Sequence, residues 1–210
     1  MKIIMKTVIC ILAVVIMVTP VVACGEPTSA PAAKKITLAD APTVLDMSSE
    51  LPAKFERLNA ASEGMSNKDL GLGRDFSEVE LFFSEEPYQA VFAYLTIIES
   101  QMERAASDAI FKDESQVKSI VLEGIRQGAA EEGVDLSNVN IKITYPTIGD
   151  LAVLGSGTMS AYGLNIGYDI LFFKSNKVYV FIASVYLPGE SVSLDPLARG
   201  VEQRISMFSQ

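Results

Sequence analysis

The chain has 210 residues, which is enough for one domain of ordinary size with a tail, or for two very small domains. Apolar residues make up 49% of it and charged residues 20%, so the chain can bury a hydrophobic core and is not disordered throughout. Its formal net charge of −9 argues against a nucleic-acid-binding protein that depends on phosphate contacts.

Residues 1–23 have the three-part layout of a secretory signal peptide. Lys2 and Lys6 precede a largely apolar run from Thr7 to Val18. A membrane-spanning helix needs about 20 apolar residues, whereas this run is shorter and is interrupted at Thr19-Pro20. We therefore expect a signal peptide that is cleaved, rather than an uncleaved anchor helix.

A four-residue motif, Val21-Val22-Ala23-Cys24, closes this segment. It resembles the lipobox of bacterial lipoproteins, in which a large apolar residue and a small residue precede an obligatory cysteine; leucine is usual where Val21 stands. The resemblance implies that diacylglycerol is attached to the Cys24 sulfur, that the chain is cleaved before Cys24, and that a fatty acid such as palmitate acylates the new amino group. A disulfide between Cys10 and Cys24 is the alternative, but cleavage would separate the two cysteines.

Lipidation would place the mature protein on the extracytoplasmic face of the cell membrane. Cleavage removes Lys2 and Lys6 and no acidic residue, which changes the net charge from −9 to −11. Anionic head groups repel such a protein, so its binding to the bilayer has to come from the acyl chains on Cys24. With its one cysteine acylated, the mature chain would have no disulfide, thiol nucleophile or thiolate metal site.

A flexible tether is predicted over residues 24–35, which are small, polar and proline-bearing and show no apolar periodicity. Extended, this segment reaches at most about 40 Å, so the domain is expected to work close to the membrane. No repeat or second linker follows. The pattern favours a single globular α+β domain over residues 36–210.

Two assignments stay open between residues 36 and 96. A short helical turn is expected within 40–50, and 76–83 alternates as a strand does. The stretch 54–63 fits a helix or a strand. Residues 88–96 follow Glu85-Glu86-Pro87 and fit either a helix or the second strand of a hairpin.

Two helices and a strand are predicted over the next 50 residues. Apolar residues recur every three or four positions over 97–111. Asp113 is expected to cap a helix over 114–132, with Gln116 at the position of a capping box and Gly133 ending the helix. The buried stripe of that helix is predicted to be Val117, Ile120, Val121 and Ile125. Residues 139–145 alternate as a strand.

The C-terminal part predicts three strands and a helix. A strand at 151–154 precedes a Gly/Ser-rich loop at 155–163. Long strands over 164–174 and 177–187 are joined by the two-residue turn Ser175-Asn176, and both are apolar on both faces, which is typical of central strands. Asp195-Pro196 begins a final helix, with Arg199 and Arg204 expected on its solvent side. This order predicts an α+β fold, an antiparallel sheet with helices packed on it.

Three segments of this part carry a family resemblance: Ile148-Gly-Asp-Leu-Ala, Phe173-Lys-Ser-Asn-Lys-Val-Tyr-Val, and Leu197-Ala-Arg in the final helix. Together they span residues 148–208 and resemble exported domains of the PsbP-like type. The resemblance implies a PsbP-like sandwich and an accessory or binding role. These motifs are structural rather than catalytic, and a fold does not by itself fix a function.

Catalytic and metal-binding motifs are sparse. The chain has no histidine, which rules out Ser-His-Asp and Cys-His nucleophiles and histidine-based zinc sites. Ser115-Gln-Val-Lys118 has the letters of a Ser-x-x-Lys motif but falls on the exposed first turn of a predicted helix. Residues 135–140 offer oxygens for calcium but lack the glycine and terminal glutamate of a calcium loop. The acidic pairs Glu85-Glu86 and Glu131-Glu132 are interpreted as solvated ends of elements. We expect no enzyme, no metal and no cofactor.

The candidate ligand-contacting segment is the predicted loop at 155–163. Its Gly155-Ser156-Gly157 lacks the third glycine of a dinucleotide-binding fingerprint. Glycine allows a ligand to approach the backbone closely, so the predicted ligand-binding residues are Gly155, Gly157, Tyr162 and Gly163. A plain turn between strands is the alternative interpretation.

Three functions remain as hypotheses. The first is a non-enzymatic, lipid-anchored binding or accessory domain whose partner is another envelope protein and not a nucleic acid. The second is a small-molecule or ion-binding module that acts as a sensor or transport accessory, with its ligand beside residues 155–163. The third is a carboxylate-based hydrolase, because the separation of two carboxylates is a three-dimensional quantity that a sequence does not give.

Overall fold

The computed structural model describes residues 36–58, 79–131 and 133–208. The predicted signal peptide, Cys24 and the tether all lie outside the described residues. The elements are a 3₁₀ turn Leu38–Asp40, α1 Ala41–Leu45, β1 Glu56–Leu58, β2 Val79–Ser84, β3 Gln89–Ile97, α2 Gln101–Lys112, α3 Glu114–Glu131, β4 Leu136–Thr144, β5 Leu151–Ala161, β6 Leu164–Ser175, β7 Val178–Tyr186 and α4 Leu194–Phe208.

The described strands form one seven-stranded sheet in the order β1-β2-β3-β7-β6-β5-β4, and every neighbouring pair is antiparallel. This confirms an α+β fold built on an antiparallel sheet. The prediction that the two long strands are central is also confirmed, since β7 is the middle strand and β6 lies beside it. The turn between them is Asn176-Lys177, one residue later than expected, because Ser175 still pairs with Val178. Asn176 has a φ of +57°, a conformation that asparagine tolerates.

Helices pack on both faces of the sheet, because successive side chains of a strand point to opposite sides. On one face, Val117, Val121 and Ile125 of α3 pack against the sheet, and we call this the α3 face. On the other face, the α4 face, residues of α1 and of α4 such as Leu45 and Val201 form a second core.

The helix α3 has the predicted ends. Asp113 Oδ1 accepts hydrogen bonds from the backbone N–H of Ser115 (2.9 Å) and of Gln116 (3.1 Å), and Gly133 has a φ of +66°. The Ser115 hydroxyl also donates to Asp113. This bond has the largest effect, and together with the two backbone bonds it holds the pKa of Asp113 below its usual value. The preceding helix α2 is joined to the sheet by an ion pair of Asp108 with Lys174 (2.6 Å).

The open assignment at 88–96 is resolved as a strand. From Gln89 to Leu95 every side chain is buried, whichever face it points to, and only a strand covered on both sides buries consecutive residues in this way. The helix predicted over 97–111 therefore begins later, at Gln101, because Ile97 still pairs with Val178 of β7. In the other open stretch, 54–63, residues Glu56–Leu58 form β1 and residues 59–63 lie outside the described part.

The prediction of a loop over 155–163 is wrong. Leu151–Ala161 is one continuous strand, paired with β4 on one side and β6 on the other. Its glycines are needed for packing: a Cβ on Gly155 would lie 2.7 Å from Ile141 Cδ1, and one on Gly157 would lie 2.7 Å from the Tyr168 hydroxyl oxygen. The turn is reduced to Tyr162-Gly163, with φ angles of +53° and +74°.

Arg204 was also expected to face solvent, and the structure places it otherwise. Its Nε donates to the Val44 carbonyl oxygen (2.9 Å) and its Nη1 to Glu50 Oε1 (2.6 Å), with the arginine side chain only 20% exposed. The interaction ties α4 to the segment after α1. Arg199 does lie at the surface, where it pairs with Asp195 one turn earlier.

Gly157→Ala is expected to destabilise the protein by about 2 kcal/mol, because the new Cβ would collide with the Asn140 carbonyl oxygen and the Tyr168 ring. The free energy of unfolding from urea denaturation measures this. Ser137→Ala, at an exposed position of β4, should change it by less than about 0.5 kcal/mol. If residue 157 instead had room for a side chain, alanine would raise stability, as it commonly does in place of a strand glycine.

Candidate functional site

The α4 face of the sheet changes from apolar to polar along its strands. In β7 the residues on this face are Val178, Val180, Ile182, Ser184 and Tyr186. In β6, which runs the other way, they are Phe173, Leu171, Asp169 and Gly167. The apolar positions belong to the core under α1 and α4. The remaining positions continue across the sheet as a band of polar side chains.

We call this band the polar strip. Its members are Ser84 of β2, Gln89 of β3, Ser184 and Tyr186 of β7, Asp169 of β6, Ser156 and Thr158 of β5, and Asn140 and Lys142 of β4.

The strand register makes these residues neighbours. Gln89 lies directly opposite Ser84 on one side and opposite Tyr186 on the other. Asp169 lies opposite Ser184 and also opposite Ser156. Directly opposed residues of antiparallel strands have Cβ atoms about 5 Å apart, so the polar strip is continuous.

Burial increases along the polar strip from β4 to β2. The side chains on β4 and Thr158 are exposed, while Asp169 and Tyr186 are half-buried. At the other end, Ser84 and Ser184 are each 1% exposed and Gln89 is 3% exposed. The strip therefore leads from solvent into the interior of the protein.

Three oxygen atoms at the buried end have no hydrogen-bond partner in the structure: Ser84 Oγ, Gln89 Oε1 and Ser184 Oγ. Buried polar atoms of native proteins almost always have a partner. Leaving one without a partner costs about 1–3 kcal/mol. Three such atoms on one continuous strip are therefore the strongest indication of a ligand site in the described part of the chain.

Tyr186 and Asp169 form the middle of the polar strip. Burial raises the pKa of Tyr186 to about 12, and the charge of Asp169, together with a hydrogen bond to its carboxylate, contributes to the rise. The tyrosine ring lies close against Gly167 of β6, since a Cβ on this glycine would collide with it. The hydroxyl is thus protonated at neutral pH, and its position is fixed beside the carboxylate.

The sequence-predicted ligand residues do not come together in one site. Gly155 and Gly157 point to the α3 face, which is the side of the sheet away from the polar strip. Tyr162 and Gly163 form the β5–β6 turn, where the Tyr162 side chain is 50% exposed. A role for these four residues in binding a ligand stays a prediction.

The structure also places the other residues that the sequence offered as candidates for catalysis or metal binding. Glu85 and Glu86 are exposed in the β2–β3 turn, and Ser115 serves the α3 cap by donating to Asp113 (2.7 Å). Residues 136–140 belong to β4, so they do not form a calcium loop. Within the described ranges, no group of three or more cysteine, aspartate or glutamate residues is placed to hold a metal ion.

Sequence reasoning missed the polar strip. Each member is a single polar residue near the end of a strand, and Ser184 stands alone in an otherwise apolar run. The one available signal is the alternation of Ser156, Thr158 and Ser160 in β5. The strip becomes visible only with the order of the strands, which brings residues nearly 100 positions apart into contact.

Neither a protein-family model nor a curated protein sequence matches this chain. In residues 36–58, 79–131 and 133–208, no helix combines the length and the apolar character that a membrane span requires.

Tyr186→Phe is expected to make protein stability less dependent on pH between about 10 and 12. The folded-state pKa of Tyr186 is about 12, above the unfolded value near 10, so its contribution is complete below pH 10 and is lost as the pH rises through 12. The free energy of unfolding, measured by urea denaturation across this range, checks the slope. Asp169→Asn should reduce the slope in part, because it removes the charge that opposes ionisation. Equal slopes for Tyr186→Phe and the unchanged protein would contradict the assigned environment.

Proposed function

We propose that the protein is a lipid-anchored, extracytoplasmic binding domain without catalytic activity, and that it binds a small molecule on the polar strip. The observation that carries the binding part is the set of three unpartnered oxygen atoms at the buried end of the strip. A ligand that reached them would complete their hydrogen bonds, and the half-buried Asp169 and Tyr186 lie on the way from solvent.

The anchoring part rests on the sequence before the domain. The apolar run, the Val21-Val22-Ala23-Cys24 motif and the short tether together support acylation of Cys24. The acyl chains would bind the bilayer while the acidic domain stays outside it. This mode of anchoring does not depend on whether the cell has a second membrane.

The finer fold assignment is also a proposal, namely a PsbP-like sandwich. Helices on both faces of an antiparallel sheet support it. The three segments of the resemblance also contribute Ile148, Phe173 and Leu197 to the same core on the α4 face. Their shared packing explains why these motifs are structural.

A small molecule fits the polar strip better than a protein partner does. A protein surface contacts exposed side chains, and Ser84, Gln89 and Ser184 are at least 97% buried. An envelope protein as the partner would have to use the exposed end of the strip alone. The buried end therefore favours the small-molecule form of the binding hypothesis.

Cys24→Ala is expected to release the protein from the membrane fraction, because the substitution removes the sulfur that carries the diacylglycerol. Cell fractionation measures the release, and mass spectrometry of the mature N-terminus should show an acylated Cys24 in the unchanged protein. Cys10→Ala is the matched control, since Cys10 would leave with the signal peptide and its loss should change neither result. A free Cys24 thiol, or membrane association that survives Cys24→Ala, would contradict the anchor.

If the protein binds a small molecule on the polar strip, a low-molecular-weight extract of the producing cells should raise the melting temperature of the purified full chain. At a ligand concentration of 100 times Kd, the stabilisation is about 2.7 kcal/mol, which corresponds to a shift of about 5 °C or more. The double variant Ser84→Ala/Ser184→Ala should lose the shift, whereas Ser119→Ala, at an exposed position of α3 on the other side of the sheet, should keep it. A shift that survives in the double variant, or that only macromolecules in the extract produce, would rule out a small-molecule site on the polar strip.

A further inference from the structure

We infer that the ligand of the polar strip is an uncharged, polyhydroxylated molecule about 10 Å long, the size of a disaccharide. This inference rests on the proposed function, since it names the substance that the same strip would bind. It follows from three properties of the strip: its length, the lack of charge at its buried end, and its balance of hydrogen-bond donors and acceptors.

The length excludes a single ion. Ser84 is on β2 and Ser184 is on β7, with β3 between them in the sheet. Neighbouring strands lie about 4.8 Å apart, and Ser184 is two residues along β7 from Tyr186, the residue opposite Gln89, so the backbones at these two serines are separated by about 12 Å. Metal ions bind oxygen ligands at about 2.0–2.6 Å, so one ion would not reach both hydroxyls. A molecule that satisfies both has to extend across β3.

The charge pattern excludes an ionic group at the buried end. Ser84, Gln89 and Ser184 are neutral, and the nearest buried carboxylate on this face, Glu80 of β2, is already paired with Arg57. An ammonium or carboxylate group placed beside Ser84 and Gln89 would be desolvated without a counter-charge, because Asp169, which lies opposite Ser184, is two strands away from Gln89. The part of the ligand that enters the interior is therefore uncharged.

The hydrogen-bonding groups call for a ligand that both donates and accepts. Gln89 Oε1 is an acceptor, and the two serine hydroxyls can act in either sense. Asp169 is an acceptor close enough to Tyr186 to raise the pKa of its hydroxyl, and its carboxylate has lone pairs for a ligand. Hydroxyl groups match this mixture. They would also form strong, charge-assisted hydrogen bonds with the carboxylate of Asp169.

Among the described members of the polar strip, Lys142 and Asp169 are charged at neutral pH, and they carry opposite charges. Lys142 is on β4, two strands away from Asp169, and β5 lies between them. Their charges offset each other, so this end does not select strongly for a cation or an anion. An uncharged ligand is therefore compatible with the whole length of the strip.

The test is calorimetric titration of the purified full chain, in a detergent without a sugar head group, against glucose, N-acetylglucosamine, galactose, maltose and trehalose. Spermidine and citrate serve as the cationic and anionic probes. We expect saturable binding of at least one neutral sugar and of neither charged probe. Ser184→Ala and Gln89→Leu should each weaken that binding roughly tenfold, the usual effect of losing one buried hydrogen bond. Ser119→Ala, on α3, should leave it unchanged.

Asp169→Asn is a second variant in case the buried substitutions impair folding, because this half-buried position tolerates an isosteric change. It should also weaken sugar binding, since the charge-assisted hydrogen bonds become neutral ones.

Three outcomes would overturn the inference. If only spermidine or citrate binds, or if the cell extract protects the protein and no sugar does, the ligand class is wrong and the proposed function stands. If sugar binding is unaffected by Ser184→Ala, Gln89→Leu and Asp169→Asn, the sugar lies elsewhere. If nothing binds, extract included, the strip is not a ligand site and the binding part of the proposed function fails with the inference.

Discussion

The pairing of β3 with β7 is the constraint on which the rest of the structure depends. Nine residue pairs, from Gln89 with Tyr186 to Ile97 with Val178, join the β1–β3 part of the sheet to the β4–β7 part. These residues are far apart along the chain, so the loop-closure cost of the pairing has to be offset by burial. Both strands supply that burial, because nearly all of their side chains are inaccessible to solvent. The same pairing sets Gln89 beside Tyr186 and thereby creates the middle of the polar strip.

A sheet that is buried on both faces needs a separate core on each face, and helices complete both cores. On the α3 face the core is closed by large side chains, among them Tyr94 and Phe181, whose rings stack at 5.2 Å. On the α4 face, α1 and α4 cover the half of the sheet that begins with Val178, and Arg204 fastens them to each other through the Val44 carbonyl oxygen. The polar strip lies on the other half of this face, where burial falls from β2 to β4. The change from apolar to polar side chains along one face is thus the structural origin of the candidate site.

The elements that the sequence predicted correctly are those whose signals lie within a short window of residues. The cap at Asp113, the stop at Gly133 and the alternation that buries Ile141 and Ile143 are all visible in short windows, and all are confirmed. The strand β3 stayed ambiguous because burial on both faces removes the alternation that marks a strand. The strand β5 was mistaken for a loop because glycine usually signals a turn, whereas Gly157 makes room for Tyr168 on a neighbouring strand. The polar strip depends on strand order, which no short window contains.

The unpartnered oxygens of the polar strip matter because of their cost. At about 1–3 kcal/mol each, three of them take up a large part of the 5–15 kcal/mol by which a typical domain is stable. Alanine or valine at Ser184 would remove that cost, and the apolar residues around it would accept either. Stabilising substitutions of this kind commonly reduce function, because binding sites are built from groups that the folded protein alone does not satisfy. A ligand that donates to Ser184, Gln89 and Ser84 would recover the lost hydrogen bonds on binding. Under the proposed function, the cost in stability becomes a source of affinity, because binding restores the hydrogen bonds that the folded protein alone leaves unmade.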